Sequence, residues 1–160
     1  MSAPYLLQHL LLEAASASPD RVALYGAREE RTYAELEDES ARIAAGLAEF
    51  HVGPGDLVGL VAEKTPRTVA AAYAILRRGA AYVPLDPTQP RLRIGATIER
   101  FGLGCVVTDA ELVGPLRDAC DASASSARRF VSTNELAEAP RGAASDARTT
   151  DGALDLLILL

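Results

Sequence analysis

The sequence predicts an α/β fold in which a doubly wound, mainly parallel sheet is flanked by helices. Three apolar runs, at residues 57–62, 81–83 and 105–107, lack the alternation of a half-exposed strand and are typical of strands buried on both faces. Segments with apolar residues at helical spacing separate these runs. Strands and helices therefore alternate along the chain, as they do in sheets with parallel connections.

The N-terminal segments predict a helix, a strand and a second, longer helix. Residues 5–15 place Leu6 and Leu10 on one helical face, with Leu7 and Ala14 as further candidates. Residues 22–25 form a short β-prone run, and residues 26–30 are turn-like.

A capping box is predicted where the second helix begins. In Thr32-Tyr33-Ala34-Glu35 the threonine hydroxyl would accept from the amide three residues on, and the glutamate would reach back. A long helix should follow, with its apolar residues at helical spacing: Leu36, Ile43, Leu47 and Phe50.

The next strand and helix carry clear turn and cap signals. Gly53-Pro54-Gly55-Asp56 predicts a turn before the apolar run at 57–62. Thr65-Pro66 fits an N-cap with proline at the first helical position, and Gly79 fits the left-handed residue that ends this helix. The buried face of the helix is expected to carry Val69, Tyr73 and Leu76.

The following segments repeat the alternation of strand and helix. Pro84 ends the strand at 81–83, and residues 90–101 predict a helix that Gly102 ends. The inward residues of that helix are expected to be Leu92, Ile94 and Ile98.

The C-terminal part of the chain combines short elements with two segments of biased composition. Asp109 fits the cap of a helix that extends to about residue 119, and residues 130–131 predict a strand. Residues 138–152 are rich in Ala, Gly, Ser, Thr and Asp and predict a flexible loop. Residues 154–160 form an apolar run that predicts a final strand.

Composition and charge exclude several classes of protein. The 160 residues are 49% hydrophobic and 24% charged, which excludes disorder throughout. The net charge of −6 argues against a protein that holds a nucleic-acid backbone. No apolar stretch approaches the ~18 residues that span a bilayer. The leucine-rich run at 6–12 also lacks the basic flank of a signal peptide. We therefore expect a cytoplasmic protein without nucleic-acid or membrane partners.

No residue can be assigned from the sequence as catalytic, cofactor-binding or metal-binding. His9 and His51 lie about 40 positions apart, without a cysteine or carboxylate at ligand spacing, so both are interpreted as structural. Cys105, within an apolar run, is interpreted as a buried core residue, and Cys120 as a half-exposed thiol. Two cysteines are too few for a disulfide framework.

Glycine-rich turns and charge clusters have structural interpretations. Gly53-Pro54-Gly55 and Gly102-Leu103-Gly104 precede strands, whereas phosphate-binding loops follow a strand and open a helix. The four carboxylates within residues 35–39 lie near a helix N-terminus, where the dipole and a solvated face account for them. Arg77-Arg78 lies at a helix C-terminus, where cations are favoured.

One stretch resembles the second core motif of nonribosomal peptide synthetase adenylation domains: Leu76-Arg77-Arg78-Gly79-Ala80-Ala81-Tyr82-Val83-Pro84-Leu85-Asp86-Pro87. That motif runs Leu-Lys-Ala-Gly-x-Ala-Tyr-Val-Pro-Leu-Asp-Pro, so Arg77-Arg78 replaces Lys-Ala. Residues 32–36 are similar to the first core motif of the family, and residues 53–58 and 105–109 fall where it has comparable segments. The resemblance covers nearly the whole chain in order.

The resemblance implies an incomplete N-terminal portion of an adenylate-forming, AMP-binding ligase, with residues 1–160 as one N-terminal subdomain. Complete members join an amino acid to AMP from ATP with Mg²⁺, release pyrophosphate and pass the aminoacyl group to a carrier-protein thiol. In the family, a phosphate-binding loop follows a strand that resembles residues 154–160, and the other functional residues come later. None of them carries over to this sequence. We expect the chain alone to be inactive and to need no cofactor.

Two classes of function remain open at this stage. The chain is either a piece of an enzyme, completed by the remainder of its domain or by another chain as in a split ligase, or a non-catalytic interaction module on the same scaffold. The resemblance also implies a carrier protein as a partner.

We predict that the isolated protein self-associates through residues 154–160. Burying a leucine stabilises by ~1.5–3 kcal/mol, so an uncovered apolar strand favours pairing with another chain. Replacing Leu157 and Leu159 with lysine should shift the protein toward monomer in sedimentation or light scattering. A stable monomer of the unmodified chain at high micromolar concentration would contradict this prediction.

Overall fold

The computed structural model describes residues 6–26, 29–120 and 128–139. These ranges contain six helices and six strands in this order: α1 (Leu7–Ala17), β1 (Val22–Tyr25), β2 (Glu30–Thr32), α2 (Tyr33–Glu49), β3 (Leu57–Val61), α3 (Pro66–Arg77), β4 (Ala81–Pro84), α4 (Arg91–Arg100), β5 (Cys105–Thr108), α5 (Ala110–Ala119), β6 (Arg129–Ser132) and α6 (Thr133–Ala137). The predicted strand at 154–160 and most of the predicted loop at 138–152 lie outside the described residues.

A four-stranded sheet in the order β4-β3-β5-β6 forms the centre of the fold. All three strand pairs are parallel. Each strand is reached from the previous one through a helix, as parallel pairing requires. The structure therefore confirms the predicted parallel α/β sheet.

Helices cover both faces of the sheet. Successive strand residues point to opposite faces, so each strand contributes to two separate cores. One core joins the sheet to α2, α3 and α6 and includes Val58, Leu60, Val107 and Val131. The other joins the sheet to α4 and α5 and includes Val61, Val83, Val106 and Phe130. The sheet is doubly wound, as predicted.

The β1–β2 hairpin leads directly into α2 through the predicted capping box. The two strands pair antiparallel. The Oγ1 of Thr32 accepts from the Glu35 amide at 3.2 Å, and the Glu35 carboxylate accepts from the Thr32 amide at 2.8 Å. That backbone hydrogen bond holds the pKa of Glu35 below its usual range.

The predicted signals at both ends of α3 are also confirmed. Thr65 caps the helix by accepting from the Thr68 amide at 3.2 Å, and Pro66 is the first helical residue. Gly79 follows the helix with a φ of +72°, a left-handed conformation that costs a residue with a β-carbon about 1–2 kcal/mol. The Gly79 carbonyl accepts from the Gly55 amide at 3.1 Å, which joins the cap to the turn before β3.

The predicted buried face of α1 is confirmed at Leu6 and is wrong at Leu10 and Leu7. Leu6 and Leu11 are buried, whereas Leu10 is 49% exposed and Leu7 is 39% exposed. Leucines occupy positions 6, 7, 10, 11 and 12, so apolar side chains surround much of this helix. Periodicity alone does not select one face, and packing against α2 and α3 does.

The predicted inner face of α4 is wrong at Leu92, which is 77% exposed. The buried residues are Ile94, Gly95 and Ile98. Residues two positions apart do not share a helix face, so Leu92 and Ile94 cannot both point inward. A β-carbon at Gly95 would lie 2.7 Å from the Ala119 carbonyl oxygen, so this close approach between α4 and α5 requires glycine.

The buried face of α3 is built from smaller residues than the sequence predicts. Leu76 is buried as expected, but Val69 and Tyr73 are only half-buried. The fully buried residues are Ala70, Ala71, Ala74 and Ile75. The small alanine side chains let α3 pack closely against α2 and the sheet.

Both cysteines are free and buried. Cys105 lies on β5, as predicted, and its burial raises the pKa of the thiol to about 11. Cys120 is 7% exposed, so the prediction of a half-exposed thiol is wrong. It belongs to the core between the sheet and α4, which covers the end of α5.

Replacing Gly79 with valine should lower the free energy of unfolding by at least ~1 kcal/mol, from the cost of a left-handed residue with a β-carbon. A β-carbon there would also lie 3.2 Å from Cγ of Pro54. Urea denaturation measures the change. Gly104→Val is the matched control, because its β-carbon would meet no atom within 4 Å. An unchanged midpoint for Gly79→Val would contradict the assigned cap.

Replacing Cys105 with alanine should remove part of the loss of stability at high pH. Because burial raises the folded pKa from 9.0 to about 11, the unfolded chain ionises first. The contribution of the thiol to the free energy of unfolding is therefore fully present below about pH 9, and this contribution, about 3 kcal/mol, is lost as the pH rises toward 11. Denaturation with guanidinium chloride at several pH values above 8 should show a steeper decline in the free energy of unfolding for the parent than for Cys105→Ala. Parallel declines would contradict the prediction.

Candidate functional site

The topology of the sheet selects one edge as the place for a ligand. In open α/β sheets, ligands bind beyond the carboxyl ends of the strands, where neighbouring connections leave in opposite directions. Here the chain passes from β3 to β4 on one side, and from β5 to β6 on the other. The switch-point crevice therefore lies between residues 62–65, which follow β3, and Asp109, which follows β5.

Side-chain hydrogen bonds tie the two walls of the switch-point crevice together. The Asp109 carboxylate accepts from the Glu63 amide at 2.9 Å. The buried Thr108 hydroxyl donates to the Val61 carbonyl at 2.6 Å. These side-chain hydrogen bonds add to the backbone pairing of β3 and β5 and fix the ends of the two strands relative to each other.

Asp109 does not have the role that the sequence predicts. It occupies the N-cap position of α5, but its side chain makes no capping hydrogen bond. The backbone supplies a turn there, with the Leu112 amide donating to the Asp109 carbonyl at 3.0 Å. The carboxylate instead accepts from the amide of Glu63, which lies in the loop after β3, 46 residues away along the chain. No local sequence signal indicates that contact.

The loop after β4 is fixed by Asp86. Its carboxylate accepts from the amide of Thr88 at 2.9 Å and from the hydroxyl of the same residue at 2.7 Å. These hydrogen bonds hold the pKa of Asp86 below its usual range, with a smaller contribution from the charge of Lys64. The loop that carries the end of the Leu76–Pro87 motif is therefore ordered at the carboxyl edge.

A partly buried ion pair fixes the first turn of α3 at the same edge. The Arg67 Nε donates to Glu39 Oε1 at 2.7 Å, and its guanidinium also donates to the Asn134 side chain on α6. The Arg31 Nε lies 3.8 Å from Glu39 Oε2. Glu39 is only 5% exposed, so the predicted solvated face of residues 35–39 is wrong at this position, because α3 packs over it.

The other carboxylates of that cluster are also engaged. The guanidinium of Arg77 donates to Glu37 at 2.8 Å, and that of Arg42 donates to Asp38 at 3.1 Å. Arg77 thus contributes an ion pair between α3 and α2, in addition to the favourable helix-end position that the sequence indicates. These contacts stabilise the helical layer and leave no carboxylate pair arranged for acid–base chemistry at this position.

A cavity of about 450 Å³ lies at the opposite, amino edge of the sheet. Its walls include Phe50, His51, Cys105 and Arg129, with the Arg129 guanidinium 5.9 Å from the Phe50 ring centre. A thiol with a pKa of about 11 stays protonated at neutral pH, so Cys105 is not a nucleophile. His9 lies on α1, far along the chain from this cavity, and the structure does not bring the two histidines into one site.

The glycine-containing turns have the geometry of caps and turns. Gly79 and Gly102 follow helices with positive φ, and Gly55 precedes β3. Among residues 6–26, 29–120 and 128–139, no group of three or more His, Cys, Asp or Glu could hold a metal ion. Within the same ranges, no helix is long and apolar enough to cross a membrane. The described elements therefore position loops at one edge of the sheet and supply no assembled set of reactive groups there.

Comparison with known proteins assigns this scaffold to a family. The family model for AMP-binding enzymes matches residues 11–154. Zwittermicin A synthase ZmaJ of Bacillus cereus is 34% identical over 116 residues, which are 72% of this chain and 22% of that protein. A dimodular nonribosomal peptide synthase of Bacillus subtilis (strain 168) is 35% identical over 112 residues, which are 70% of this chain and 5% of that protein.

A solved structure has the same fold over nearly all of the chain. The nonribosomal peptide synthetase FmoA3 aligns with a TM-score of 0.74 at 34% identity, covering 89% of this chain and 15% of that one. The chain thus spans less than a quarter of each of these relatives. The family match and the shared fold together show that the chain belongs to the AMP-binding enzyme family, the adenylate-forming ligases that include the nonribosomal peptide synthetases.

Proposed function

We propose that this chain forms the N-terminal part of a domain that joins an amino acid to AMP. The observation that carries the proposal is the segment Leu76–Pro87, which resembles the second core motif of amino-acid-activating members and forms β4, at the edge of the described four-stranded sheet, with its ordered loop. Gly79 fixes the start of this segment and Asp86 fixes its end. The motif thus sets the position of one loop at the ligand edge of the sheet.

The contribution of this chain to the reaction is alignment. Adenylation brings a carboxylate and a triphosphate together and stabilises charge at phosphorus, so its rate depends on how well the surrounding loops are positioned. Asp109 and Thr108 fix the two walls of the switch-point crevice. Arg67 fixes the helix that leaves this crevice by bonding Glu39 and Asn134. These groups orient the edge and do not contact the reacting atoms themselves.

An amino acid is the proposed substrate class, with ATP as the AMP donor and a carrier-protein thiol as acceptor. FmoA3, which shares this fold, has been crystallised with α-methyl-L-serine-AMP. The 160 residues contain no glycine-rich, lysine-containing phosphate loop, so we propose that the chain alone is inactive and that the remainder of a domain, or a completing chain, supplies the activity. The described residues contain no cluster of side chains that could hold a metal ion, and we assign none of these residues a role in binding Mg²⁺.

A chimera tests the proposal. Residues 11–154 of this chain would replace the matching segment of zwittermicin A synthase ZmaJ. We expect amino-acid-dependent exchange of labelled pyrophosphate into ATP by the chimera, and none above background by the 160-residue chain. In the chimera, Asp86→Ala should slow exchange about tenfold, a barrier change of about 1.4 kcal/mol, because it releases the loop after β4.

The matched control is Asp118→Ala, which removes an exposed carboxylate on α5 and should leave exchange unchanged. Circular dichroism and a thermal midpoint verify that each chimera is folded. A folded chimera that shows no pyrophosphate exchange with any of the amino acids tested would contradict the proposed activity. Exchange by the 160-residue chain alone would contradict its proposed inactivity.

A further inference from the structure

The loop that follows β3 is held from two sides at a single residue. The Glu63 amide donates to the Asp109 carboxylate at 2.9 Å, across the switch-point crevice. The Glu63 carbonyl accepts from the Thr65 amide at 2.9 Å and from the hydroxyl of Thr68 at 2.5 Å. We refer to residues 62–65 as the β3 loop. Asp109 therefore anchors the β3 loop from the start of α5, and Thr68 anchors it from the first turn of α3.

The hydroxyl of Thr68 has only one possible direction of donation. A threonine hydroxyl carries one hydrogen, and a carbonyl oxygen only accepts, so Thr68 donates its hydrogen to Glu63. The Thr65 hydroxyl, 3.0 Å from that of Thr68, is then the donor within the hydroxyl pair. The same Thr65 oxygen accepts from the Thr68 amide at 3.2 Å, as the cap of the helix. The Thr68 hydroxyl thus orients both the β3 loop and the capping side chain.

The first turn of α3 is itself held in place by the residue before Thr68. The Arg67 Nε donates to the carboxylate of Glu39 on α2 at 2.7 Å, and its guanidinium donates to Asn134 on α6. A buried carboxylate is costly to leave unpaired, so this contact favours one position of α3 relative to α2. Thr68 transmits that position to the β3 loop, because its hydroxyl reaches back five residues along the chain.

We propose that Thr68 is a positioning residue for the adenylation reaction, because its hydroxyl holds the β3 loop at the wall of the switch-point crevice. This inference rests on the proposed function of the domain. Ligands of open α/β sheets bind in such a crevice, beyond the carboxyl ends of the strands. A displacement of about 1 Å in a group that aligns a substrate costs about 100-fold in rate. Thr68 acts through the backbone of Glu63 rather than on the substrate.

The variant that tests the proposal is Thr68→Val, which keeps the branched shape of threonine and removes the hydroxyl. The amide of residue 68 still donates to Thr65, so the helix keeps its capping hydrogen bond. Thr68→Ala removes the same hydroxyl with a better helix former and serves where Thr68→Val does not fold. Thr68→Ser keeps the hydroxyl and removes the methyl group. The matched control is Thr97→Val, because the Thr97 hydroxyl also donates to a backbone carbonyl, that of Arg93 at 3.0 Å, but on α4.

Amide hydrogen exchange in the 160-residue chain measures the β3 loop without any need for activity. In Thr68→Val, the amides of Glu63 and Thr65 should exchange about fivefold faster, because the loop loses one hydrogen bond of ordinary strength. Thr68→Ser should keep the parental rates at both amides. Thr97→Val should leave them unchanged. Thermal midpoints verify that each variant is folded under the conditions of the measurement.

The chimera with zwittermicin A synthase ZmaJ measures the effect on the reaction. Thr68→Val should lower kcat for pyrophosphate exchange about tenfold and change the KM for ATP less than about twofold, because alignment acts on the transition state. Thr68→Ser should restore kcat to within about twofold of the parent, since it keeps the hydroxyl. Thr97→Val should have the parental kcat.

Two results would overturn the inference and leave the proposed function intact. One is an active, folded Thr68→Val chimera with the parental kcat, or with a loss that Thr68→Ser shares in full. The other is an unchanged rate of amide exchange at Glu63 and Thr65 in Thr68→Val. An inactive parent chimera would instead contradict the proposed function, and the role of Thr68 in the reaction with it.

Discussion

The central constraint on this fold is that β3 is paired on both sides and covered on both faces. Its partners are β4 and β5, and its side chains enter both hydrophobic cores. Val58 and Val61 are completely buried, and a β-carbon at Gly59 would lie 3.2 Å from the Leu103 side chain. A strand in this environment fixes the positions of the helices on both faces of the sheet. The register of the whole sheet, and hence of every loop at its carboxyl edge, depends on β3.

Polar contacts then determine how the loops at that edge are arranged. Asp109 bonds the loop after β3, and Asp86 orders the loop after β4. Glu39 and Arg67 join α2 to α3 and, through Asn134, to α6. A buried carboxylate is costly unless it is paired, so Glu39 favours the one arrangement of these helices that brings Arg67 to it. Apolar packing determines the register of the sheet, and these few hydrogen bonds determine how the loops at its carboxyl edge are arranged.

A division between scaffold and chemistry underlies the role that we propose for this segment. An adenylate-forming site depends on groups held still around the reacting phosphorus. The described elements provide ordered strand ends and loops, whereas Cys105 is buried and Glu37 and Asp38 are engaged in ion pairs.

The sequence by itself determined the elements whose signals act over a few residues. The capping box at Thr32 and Glu35, the cap at Thr65 and the left-handed Gly79 were all predictable, because each depends on backbone geometry within one turn. Buried apolar runs likewise predicted the parallel sheet.

Only the tertiary structure decided which helix faces are buried and which distant groups meet. Leu10 is exposed because the neighbouring helices, rather than the periodicity of α1 itself, select the inner face of that helix. Asp109 bonds Glu63 and Glu39 bonds Arg67 across 46 and 28 positions of sequence, respectively. Such partners are chosen by the packing of whole elements, and a local pattern carries no information about that packing.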